Sequence, residues 1–510
     1  MTKDNTKAGR SENNAGQKSN PNHKSSKKHE ENIGITVKKA EDIAEWYQQV
    51  CLRGELAEYA PVKGCMIIKP NGYAIWEGIQ DYFNKIIKLH KVKNVYFPLF
   101  IPESFFKKEA QHAQGFSPEV AWIANKEDEY DKERLAIRPT SETIMYDAFS
   151  RWIRSWRDLP VKINQWCNVV RWETEATKLF LRSREFLWQE GHCAYETKEE
   201  AEEETLTYLQ EYKRVCEELL AFPVIAGRKT DKEKFAGAVY TTTVEALMPD
   251  GKALQCGTSH LLSQGFAKSF GISFLGRNEQ QQMPWQISWG ISTRLIGATV
   301  LMHSDDSGLI LPPRVAPVKA MIVPIIFEES KKAVVERCYD VADVLKNVGI
   351  PVEVDAREEY SSGWKYNQYE MLGVPLRIEI GPKDLEKDQV VLVRRDTRKK
   401  DFVKVKDLQE SVEKTLEQMH HDLFSKAIKF LDENVVKVNS FTELIITIKD
   451  KKLAKALWCG ATECEEKIKD KTAGVNARVL PFEDNTSKPH GECVLCGKDA
   501  MHVVVFGRSY

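Results

Sequence analysis

The stretch Arg171-Trp172-Glu173-Thr174-Glu175, with Arg182-Ser183-Arg184-Glu185-Phe186-Leu187-Trp188-Gln189-Glu190-Gly191-His192 shortly after it, decides how this chain is interpreted. Cations, carboxylates and aromatic residues alternate in both parts. Period-2 alternation around 168–173 and 186–190 predicts two strands joined by a polar loop. Because unpaired charges are costly to remove from water, a purely structural hairpin would gain little from such a face. A site that holds a polyphosphate, a flat ring and a small zwitterion would need such groups, so we interpret the hairpin as a ligand platform.

The bulk composition is that of a globular protein with several domains. The chain has 510 residues, 42% hydrophobic and 29% charged, with a formal net charge of −1. That length predicts two to four domains, and the charge gives no overall attraction to nucleic acid. No apolar run reaches the ~20 residues of a membrane span. The Lys-, Asn-, Ser- and Gly-rich segment 1–33 lacks a secretory signal core and predicts a disordered basic tail.

Changes of pattern divide the rest of the chain. The Pro-rich segment 311–317 is the clearest linker, so 34–310 is predicted to form one domain. Strand-like and helix-like runs alternate after it, which predicts a small α/β unit over 318–415 with parallel crossovers. A helix near 405–431 leads into a third module, 416–510.

The eleven cysteines fall into two groups. Seven are scattered through the first 338 residues, which is not a disulfide framework and predicts a reducing, cytoplasmic location. The other four form two close pairs, Cys459-x4-Cys464 and Cys493-x2-Cys496. This spacing matches a structural zinc site with four thiolate ligands, whose closed coordination would stabilise the fold. Four unrelated reduced cysteines are the alternative.

Three patterns resemble the motifs of class II aminoacyl-tRNA synthetases. The helix-like run and strand from Trp76 to Pro98 resemble motif 1, and the charged hairpin resembles motif 2. Gly290-Ile291-Ser292-Thr293-Arg294 resembles motif 3. Neither signature loop of the other synthetase class, of HIGH or KMSKS type, occurs in the sequence.

A closer resemblance is to prolyl-tRNA synthetases of the eukaryotic and archaeal type, and it runs from about residue 33 to 510. It implies an α+β catalytic domain on an antiparallel sheet, an α/β anticodon-binding domain and a small zinc-bearing α+β C-terminal domain. The implied reaction activates L-proline with ATP and joins it to tRNA(Pro), and the implied assembly is a homodimer that packs through motif 1. The resemblance is carried by Arg138-Pro139-Thr140-Ser141-Glu142, Trp188-Gln189-Glu190-Gly191-His192, Gly257-Thr258-Ser259-His260 and Phe506-Gly507-Arg508-Ser509-Tyr510.

The resemblance also implies an ATP site on the hairpin. Arg171 and Arg294 are the implied catalytic pair, and the planar fork of Arg171 suits both the amino-acid carboxylate and the α-phosphate. Arg294 and Phe186 would lie on opposite faces of the adenine. A surface ion pair between Arg171 and Glu173 is the alternative. Gln255 and Glu245 are the implied magnesium ligands. The implied ATP-binding residues are Arg171, Glu173, Arg182, Ser183, Phe186, Gln255, Thr258, Ser292 and Arg294.

A proline site next to the ATP site follows from the same resemblance. A carboxylate such as Glu142 suits a secondary ammonium group, and aromatic side chains suit a small ring. Taken singly, each histidine or tryptophan would be an ordinary core residue. The implied proline-binding residues are Thr140, Glu142, Arg171, Trp188, His192 and His260.

The sequence leaves open the role of one basic segment and two alternative functions. A basic run is equally compatible with a solvated turn and with tRNA backbone contacts. A class II synthetase for threonine, histidine, glycine or serine is one alternative function. A synthetase-like RNA-binding regulator without catalysis is another, but such proteins usually lose a motif arginine or acid, and here all of these are present. The basic run consists of Arg394, Arg395, Arg398, Lys399 and Lys400.

Overall fold

The computed structural model describes residues 34–110, 120–123, 133–172 and 177–510. The predicted basic tail, 1–33, and the predicted adenine-binding Glu173 lie outside these ranges. Within them, no helix combines the length and the hydropathy that a membrane crossing requires.

A large sheet organises the residues before the Pro-rich segment. The strands of this part are β1 (Ala57–Tyr59), β2 (Met66–Ile68), β3 (Lys93–Asn94), β4 (Phe100–Pro102), β5 (Leu135–Ile137), β6 (Val161–Val170), β7 (Glu185–Tyr195), β8 (Ile225–Arg228), β9 (Tyr240–Leu247), β10 (Lys252–Ser263), β11 (Phe274–Leu275), β12 (Gln281–Gln282) and β13 (Trp285–Ser292). In the sheet, β8, β9, β10, β13, β7 and β6 follow one another in that order and pair antiparallel. The predicted antiparallel sheet is therefore observed, with β3 added in parallel beside β6.

Helices surround and support this sheet. They are α1 (Ile43–Arg53), α2 (Pro70–Leu89), α3 (Glu103–Ala110), α4 (Glu142–Trp152), α5 (Lys198–Arg214), α6 (Gly265–Phe270) and α7 (Arg294–His303), with a 3₁₀ turn Trp156–Asp158 and a π-helical turn Val215–Leu219. α2 starts earlier than the apolar run suggested, because Pro70 occupies its first turn, where a fixed φ and a missing N–H are harmless. The strand expected after α2 is broken into two short pieces around Pro98, which cannot donate to a ladder.

The charged hairpin is formed by β6 and β7. Their pairing runs from Val161 opposite Ala194 to Val170 opposite Glu185, so the strands are longer than the alternation alone indicated. Trp289 of β13 lies across β7 and stacks on Tyr208 of α5, with ring centres 4.0 Å apart. A Cβ at position 191 would come within 2.1 Å of that indole ring. Gly191 is therefore required for the close packing that fixes the inner half of the hairpin.

The Pro-rich segment 311–317 is not an exposed tether. Leu311, Val315 and Ala316 are at most 5% exposed and belong to the hydrophobic core of the large sheet. Prolines interrupt regular hydrogen bonding, so they mark the end of a helix or strand without indicating whether the segment is solvated. The segment predicted to be a linker is therefore a packed connection between the two sheets.

The unit after this connection has a five-stranded sheet. Its strands are β14 (Ala320–Pro324), β15 (Val352–Val354), β16 (Leu376–Ile380), β17 (Gln389–Arg394) and β18 (Lys400–Lys404), and its helices are α8 (Lys331–Asn347), α9 (Ser362–Leu372), α10 (Pro382–Glu386) and α11 (Leu408–Asn434), with 3₁₀ turns Glu328–Ser330 and Val405–Asp407. The order is β15-β14-β16-β17-β18. β14 pairs in parallel with β15 and β16, as alternating strands and helices predict, whereas β17 and β18 are antiparallel additions.

The basic run at the end of β17 is largely paired within the protein. Arg395 is 4% exposed and donates to both carboxylate oxygens of Asp305, at 2.9 and 2.6 Å. Arg394 pairs with Asp396 and Asp422. Since Asp305 follows α7, Arg395 joins the five-stranded unit to the large-sheet unit. It is therefore neither a solvated residue nor an exposed phosphate contact.

The C-terminal module extends the large sheet. Its strands are β19 (Val435–Lys437), β20 (Leu453–Trp458), β21 (Asn476–Pro481) and β22 (His502–Ser509), and its helices are α12 (Phe441–Lys449) and α13 (Thr462–Lys471). β21 pairs antiparallel with β8, and β22 pairs in parallel with β10 through Lys252 and Ala253. Within the described residues the result is one eleven-stranded sheet, in the order β19-β20-β22-β21-β8-β9-β10-β13-β7-β6-β3. The predicted α+β content is observed, but this module does not have a separate sheet.

Candidate active site

A cavity of about 580 Å³ opens over the inner face of the hairpin. Its lining comes from β7, β9, β10 and β13, from the first residues of α4 and α7, and from the loops beside them. The structure brings together almost all of the residues that the sequence nominated. Those that line the cavity are Thr140, Glu142, Arg171, Arg182, Ser183, Phe186, Trp188, His192, Gln255, Thr258, His260, Ser292 and Arg294.

Arg171 lies where the two halves of the cavity meet. Its guanidinium carbon is 5.4 Å from the ring centre of Phe186 and 5.5 Å from that of Trp188. Its Nε donates to the carbonyl oxygen of Pro139 at 3.2 Å. These contacts hold a planar, permanently charged fork beside two neighbouring aromatic rings, whose centres are 6.1 Å apart, a geometry that favours bidentate contact with oxyanions.

Arg294 supplies the second cation. It is the first residue of α7, and β13 extends to Ser292, two residues before it. Its Nε donates to Leu181 O at 3.2 Å and its Nη1 to Gln255 O at 3.3 Å. Burial lowers the pKa of Arg294, but a guanidinium stays charged at any physiological pH. Arg171 and Arg294 therefore give this part of the cavity a positive potential.

The opposite end of the cavity is a cluster of two carboxyl groups and one imidazole. Glu142, Glu190 and His192 are each at most 4% exposed, and ligand atoms of all three lie within 4.8 Å of one another. Thr140 Oγ1 donates to Glu142 Oε2. His192 Nε2 is 3.2 Å from Glu190 Oε2, and its Nδ1 is 3.1 Å from the hydroxyl of Tyr146.

The protonation of this cluster follows from its contacts. Burial alone would lower the pKa of His192, but the hydrogen bond to Glu190 and the charge of Glu142 outweigh it, so the pKa is raised. Burial acts in the opposite direction on Glu190, whose pKa is lowered by His192 and Ser141. His260 differs, because burial together with the charges of His192 and Arg171 lowers its pKa to about 3. His260 is therefore neutral, and the contacts of His192 favour its protonated form beside the Glu190 carboxylate.

Several lining residues were missed by the sequence reasoning. Glu190 accepts from the backbone N–H of Ser141 at 3.1 Å and also contacts Gln165. It follows Phe186 and Trp188 at period 2 on β7 and precedes His192 by the same step, so the alternation already placed it on the ligand-facing side. Others that were missed, and that carry no comparable local signal, include Phe180, Leu181, Glu233, Phe235, Thr241, Cys256, Ser288 and Trp289.

Glu245 does not line the cavity, although the sequence nominated it as a magnesium ligand. It is 1% exposed, its Oε1 accepts from Lys229 Nζ at 2.5 Å, and its Oε2 accepts from Arg478 at 3.1 Å. A carboxylate whose two oxygens are already held by cations is a poor candidate for a metal ligand. The geometry therefore disfavours Glu245, whereas Gln255 does line the cavity and stays a predicted ligand.

The four C-terminal cysteines converge on one point. The sulfur atoms of Cys459, Cys464, Cys493 and Cys496 all lie within 4.8 Å of one another, and the distance between those of Cys464 and Cys493 is 3.8 Å. A tetrahedral Zn²⁺ with Zn–S bonds of about 2.3 Å holds its sulfurs roughly 3.8 Å apart. The residues present therefore fit a structural zinc ion.

Comparison with known proteins agrees with this geometry. Residues 124–303 match the tRNA synthetase class II core domain (G, H, P, S and T), and 319–415 match an anticodon binding domain. Residues 441–510 match the C-terminal domain of prolyl-tRNA synthetase. A proline–tRNA ligase of Natranaerobius thermophilus is 50% identical over 488 residues, covering 95% of this chain and all of that protein. This chain belongs to the prolyl-tRNA synthetase family.

Other relatives and solved structures of the family cover nearly the same span. Proline–tRNA ligase 2 of Bacillus thuringiensis is 48% identical over 94% of this chain and 99% of its own length. A crystal structure of Cryptosporidium parvum prolyl-tRNA synthetase with halofuginone and AMPPNP has a TM-score of 0.89 at 43% identity, covering 95% and 99% of the two chains. A structure of the same enzyme with L-proline and AMP has a TM-score of 0.87 at 42% identity, covering 94% of this chain and 100% of that one.

Proposed function

We propose that this member of the prolyl-tRNA synthetase family activates L-proline with ATP, giving prolyl-adenylate and pyrophosphate, and then transfers proline to the 3′ end of tRNA(Pro). The observation that supports this most directly is a single cavity with two chemically different ends. One end has an arginine-rich wall suited to phosphates, and the other has the buried cluster of Glu142, Glu190 and His192. Arg171 lies between them, at the place where a carboxylate would meet an α-phosphate.

The residues act mainly by positioning and by charge. In the first step a carboxylate oxygen of proline attacks the α-phosphorus and pyrophosphate leaves, so the substrate supplies its own nucleophile. Arg171 would hold one oxygen from each reactant in its fork, and Arg182 would contact the outer phosphates. Arg294 and Phe186 would lie against the adenine. Such preorganised cations stabilise the charge that develops on the phosphoryl oxygens.

The amino-acid end suits a small cationic ring. We assign the secondary ammonium of proline to Glu142, whose carboxylate is buried beside Thr140. Trp188 and the neutral imidazole of His260 would contact the ring, since an uncharged imidazole can be desolvated more readily than a charged one. His192 is held by Glu190 and would shape the wall of the pocket.

Pyrophosphate exchange across the twenty amino acids tests the proposed function. We expect ³²P-pyrophosphate to enter ATP only when proline is present, with aminoacylation of tRNA(Pro) as the second readout. Exchange that depended on threonine, histidine, glycine or serine, and ignored proline, would show a different synthetase. Tight tRNA binding without any exchange would show a non-catalytic regulator.

Magnesium and tRNA complete the proposed reaction. Mg²⁺ would be held mainly by the triphosphate, with Gln255 as the protein ligand, because Mg²⁺ commonly binds through substrate phosphates and keeps several waters. The domain at 319–415 would bind the tRNA anticodon. Arg394 and Arg395 are paired within the protein, so we do not assign phosphate contacts to them.

Dimerisation is proposed through the motif 1 region. Leu89, Tyr96 and Phe100 are 83%, 75% and 49% exposed, and they follow one another closely at the end of α2 and beyond it. Exposed apolar side chains grouped in this way mark protein-binding surfaces. Sedimentation velocity of the full chain should give the mass of a dimer, and the mass of one chain would contradict the proposal. The cytoplasmic location stays a prediction from the cysteine content.

We propose that the four-cysteine cluster holds one structural Zn²⁺. Replacing Cys493→Ser is expected to reduce zinc from one ion per chain to near zero and to lower the melting temperature by several degrees, because metal binding and folding are coupled. Elemental analysis and thermal unfolding measure both quantities. Cys65→Ser, at a half-buried thiol outside the cluster, is the matched control. An unchanged zinc stoichiometry in Cys493→Ser would contradict the assignment.

A further inference from the structure

A loop at residues 229–235 forms one wall of the amino-acid end of the cavity. Glu233 and Phe235 of this loop line the cavity. The Phe235 ring is 4.8 Å from that of His260, and its backbone N–H donates to Thr241 Oγ1 at 2.8 Å. Thr241 Oγ1 is in turn 2.9 Å from His260 Nδ1. The position of the loop therefore determines the position of a ring and an imidazole that face the amino acid.

The loop is anchored from the C-terminal module at Thr230. Thr230 and Glu465 are 4% and 2% exposed, and Thr230 Oγ1 donates to Glu465 Oε1 at 3.3 Å. The same hydroxyl oxygen accepts from the backbone N–H of Glu233 at 3.3 Å. One hydroxyl group thus connects a carboxyl of α13 to the part of the loop that reaches the cavity.

The base of the loop is also held from the C-terminal module. Lys229 Nζ donates to the carbonyl oxygen of Arg478 at 2.9 Å, and both cations pair with Glu245. All three side chains are at most 8% exposed. Since Arg478 belongs to β21, the C-terminal module fixes the start of the loop as well as its turn.

Fold stability alone does not explain the presence of a carboxyl group at position 465. Its Oε2 is buried and has no hydrogen-bond partner among the described residues. A buried carboxyl that is only half satisfied generally destabilises a fold. Buried polar groups without a full set of hydrogen-bond partners are often found at functional sites. Glu465 also directly follows Cys464, so the cysteine cluster restrains the helix that carries it.

We propose that Glu465 is a positioning residue for the amino-acid end of the cavity: through Thr230 it holds loop 229–235 in the place that lets the pocket close around a small ring. This inference rests on the proposed proline activation. In this arrangement the C-terminal module contributes to the selection of the amino acid as well as to the stability of the fold.

The test compares two adjacent glutamates in the full-length chain. Glu466 lies on the same helix and pairs with Lys232 of the same loop, but its side chain is 55% exposed. We expect Glu465→Ala to raise the KM for proline about tenfold in pyrophosphate exchange, as the loss of one buried hydrogen bond implies. The KM for ATP should change less than twofold, and Glu466→Ala should match the wild type. Glu465→Gln should restore the KM for proline, because the amide oxygen still accepts from Thr230.

The remaining outcomes separate this inference from the proposed function. A wild-type chain without proline-dependent exchange would remove the proposed function itself. An active wild type with an unchanged KM for proline in Glu465→Ala would overturn only the positioning role, as would an equal rise in both KM values. If Glu465→Ala does not fold at the assay temperature, Thr230→Val removes the same hydrogen bond from the other side. The KM of Thr230→Val for proline should then rise while its KM for ATP changes less than twofold. A wild-type KM for proline in this variant would overturn the inference.

Discussion

Replacing Arg171→Ala is expected to lower kcat/KM for proline-dependent pyrophosphate exchange by about 10³-fold. Arg171 lies beside Phe186 and Trp188 in the cavity wall, and its loss removes the cation that is proposed to contact both reactants. Steady-state exchange kinetics at several proline and ATP concentrations measure the effect.

Two further variants refine this result. Arg171→Lys keeps the charge but not the planar fork, and we expect it to recover only a small part of the activity. Arg277→Ala is the control, since its side chain is 65% exposed and pairs with Glu196 away from the cavity. Activity of Arg171→Ala within tenfold of the wild type would contradict the bridging role.

Deleting residues 508–510 is expected to reduce aminoacylation by at least about 10²-fold, an estimate based on the cost of misplacing reacting groups. Arg508 and Ser509 pair in parallel with Lys252 and Ala253 of β10, two residues before Gln255 in the cavity wall. The Tyr510 ring lies 4.9 Å from Lys252 Nζ. Removing the segment breaks the strand pairing at this end of β10, which leads into the cavity wall. Aminoacylation of tRNA(Pro) and pyrophosphate exchange should both be measured, alongside the melting temperature.

Tyr510→Phe is the matched control for the deletion. Burial and the neighbouring Asp250 raise the pKa of Tyr510, which shows a neutral hydroxyl in a packed position. The phenylalanine variant keeps the ring and the strand pairing and loses only the hydroxyl, so we expect activity within a few-fold of the wild type. A deletion variant with full activity would show that the pairing has no catalytic importance.

The parts of the site that could be predicted from sequence are those carried by local patterns. Alternation with period 2 identified the hairpin, and the same period explains why Phe186, Trp188, Glu190 and His192 face one cavity. Cysteine spacing identified the cluster, because two short loops bring both pairs of thiols together. The resemblance to known synthetases gave the roles of the arginines, which local patterns alone could not.

The parts that could not be predicted depend on partners that are distant in sequence. Glu245 was nominated as a metal ligand, but Arg478, which occupies one of its oxygens, lies 233 positions away. The sequence did not show that Arg395 is buried in an ion pair, because its partner Asp305 is 90 positions away. The burial of the Pro-rich segment could not be predicted either, because it depends on neighbours from the large sheet. In each case tertiary contacts decided the environment of a side chain.

The eleven-stranded sheet has a consequence for the order in which the molecule can be completed. Synthesis proceeds from the N-terminus, so β8 and β10 leave the ribosome long before β21 and β22 exist. Until then the edge of β8 presents unpaired backbone groups, and such open edges attract other chains. A prematurely terminated product would keep that exposed edge and would also lack the loop anchor from α13. We therefore expect partial translation products to be inactive and to be bound by chaperones at the open edge of β8.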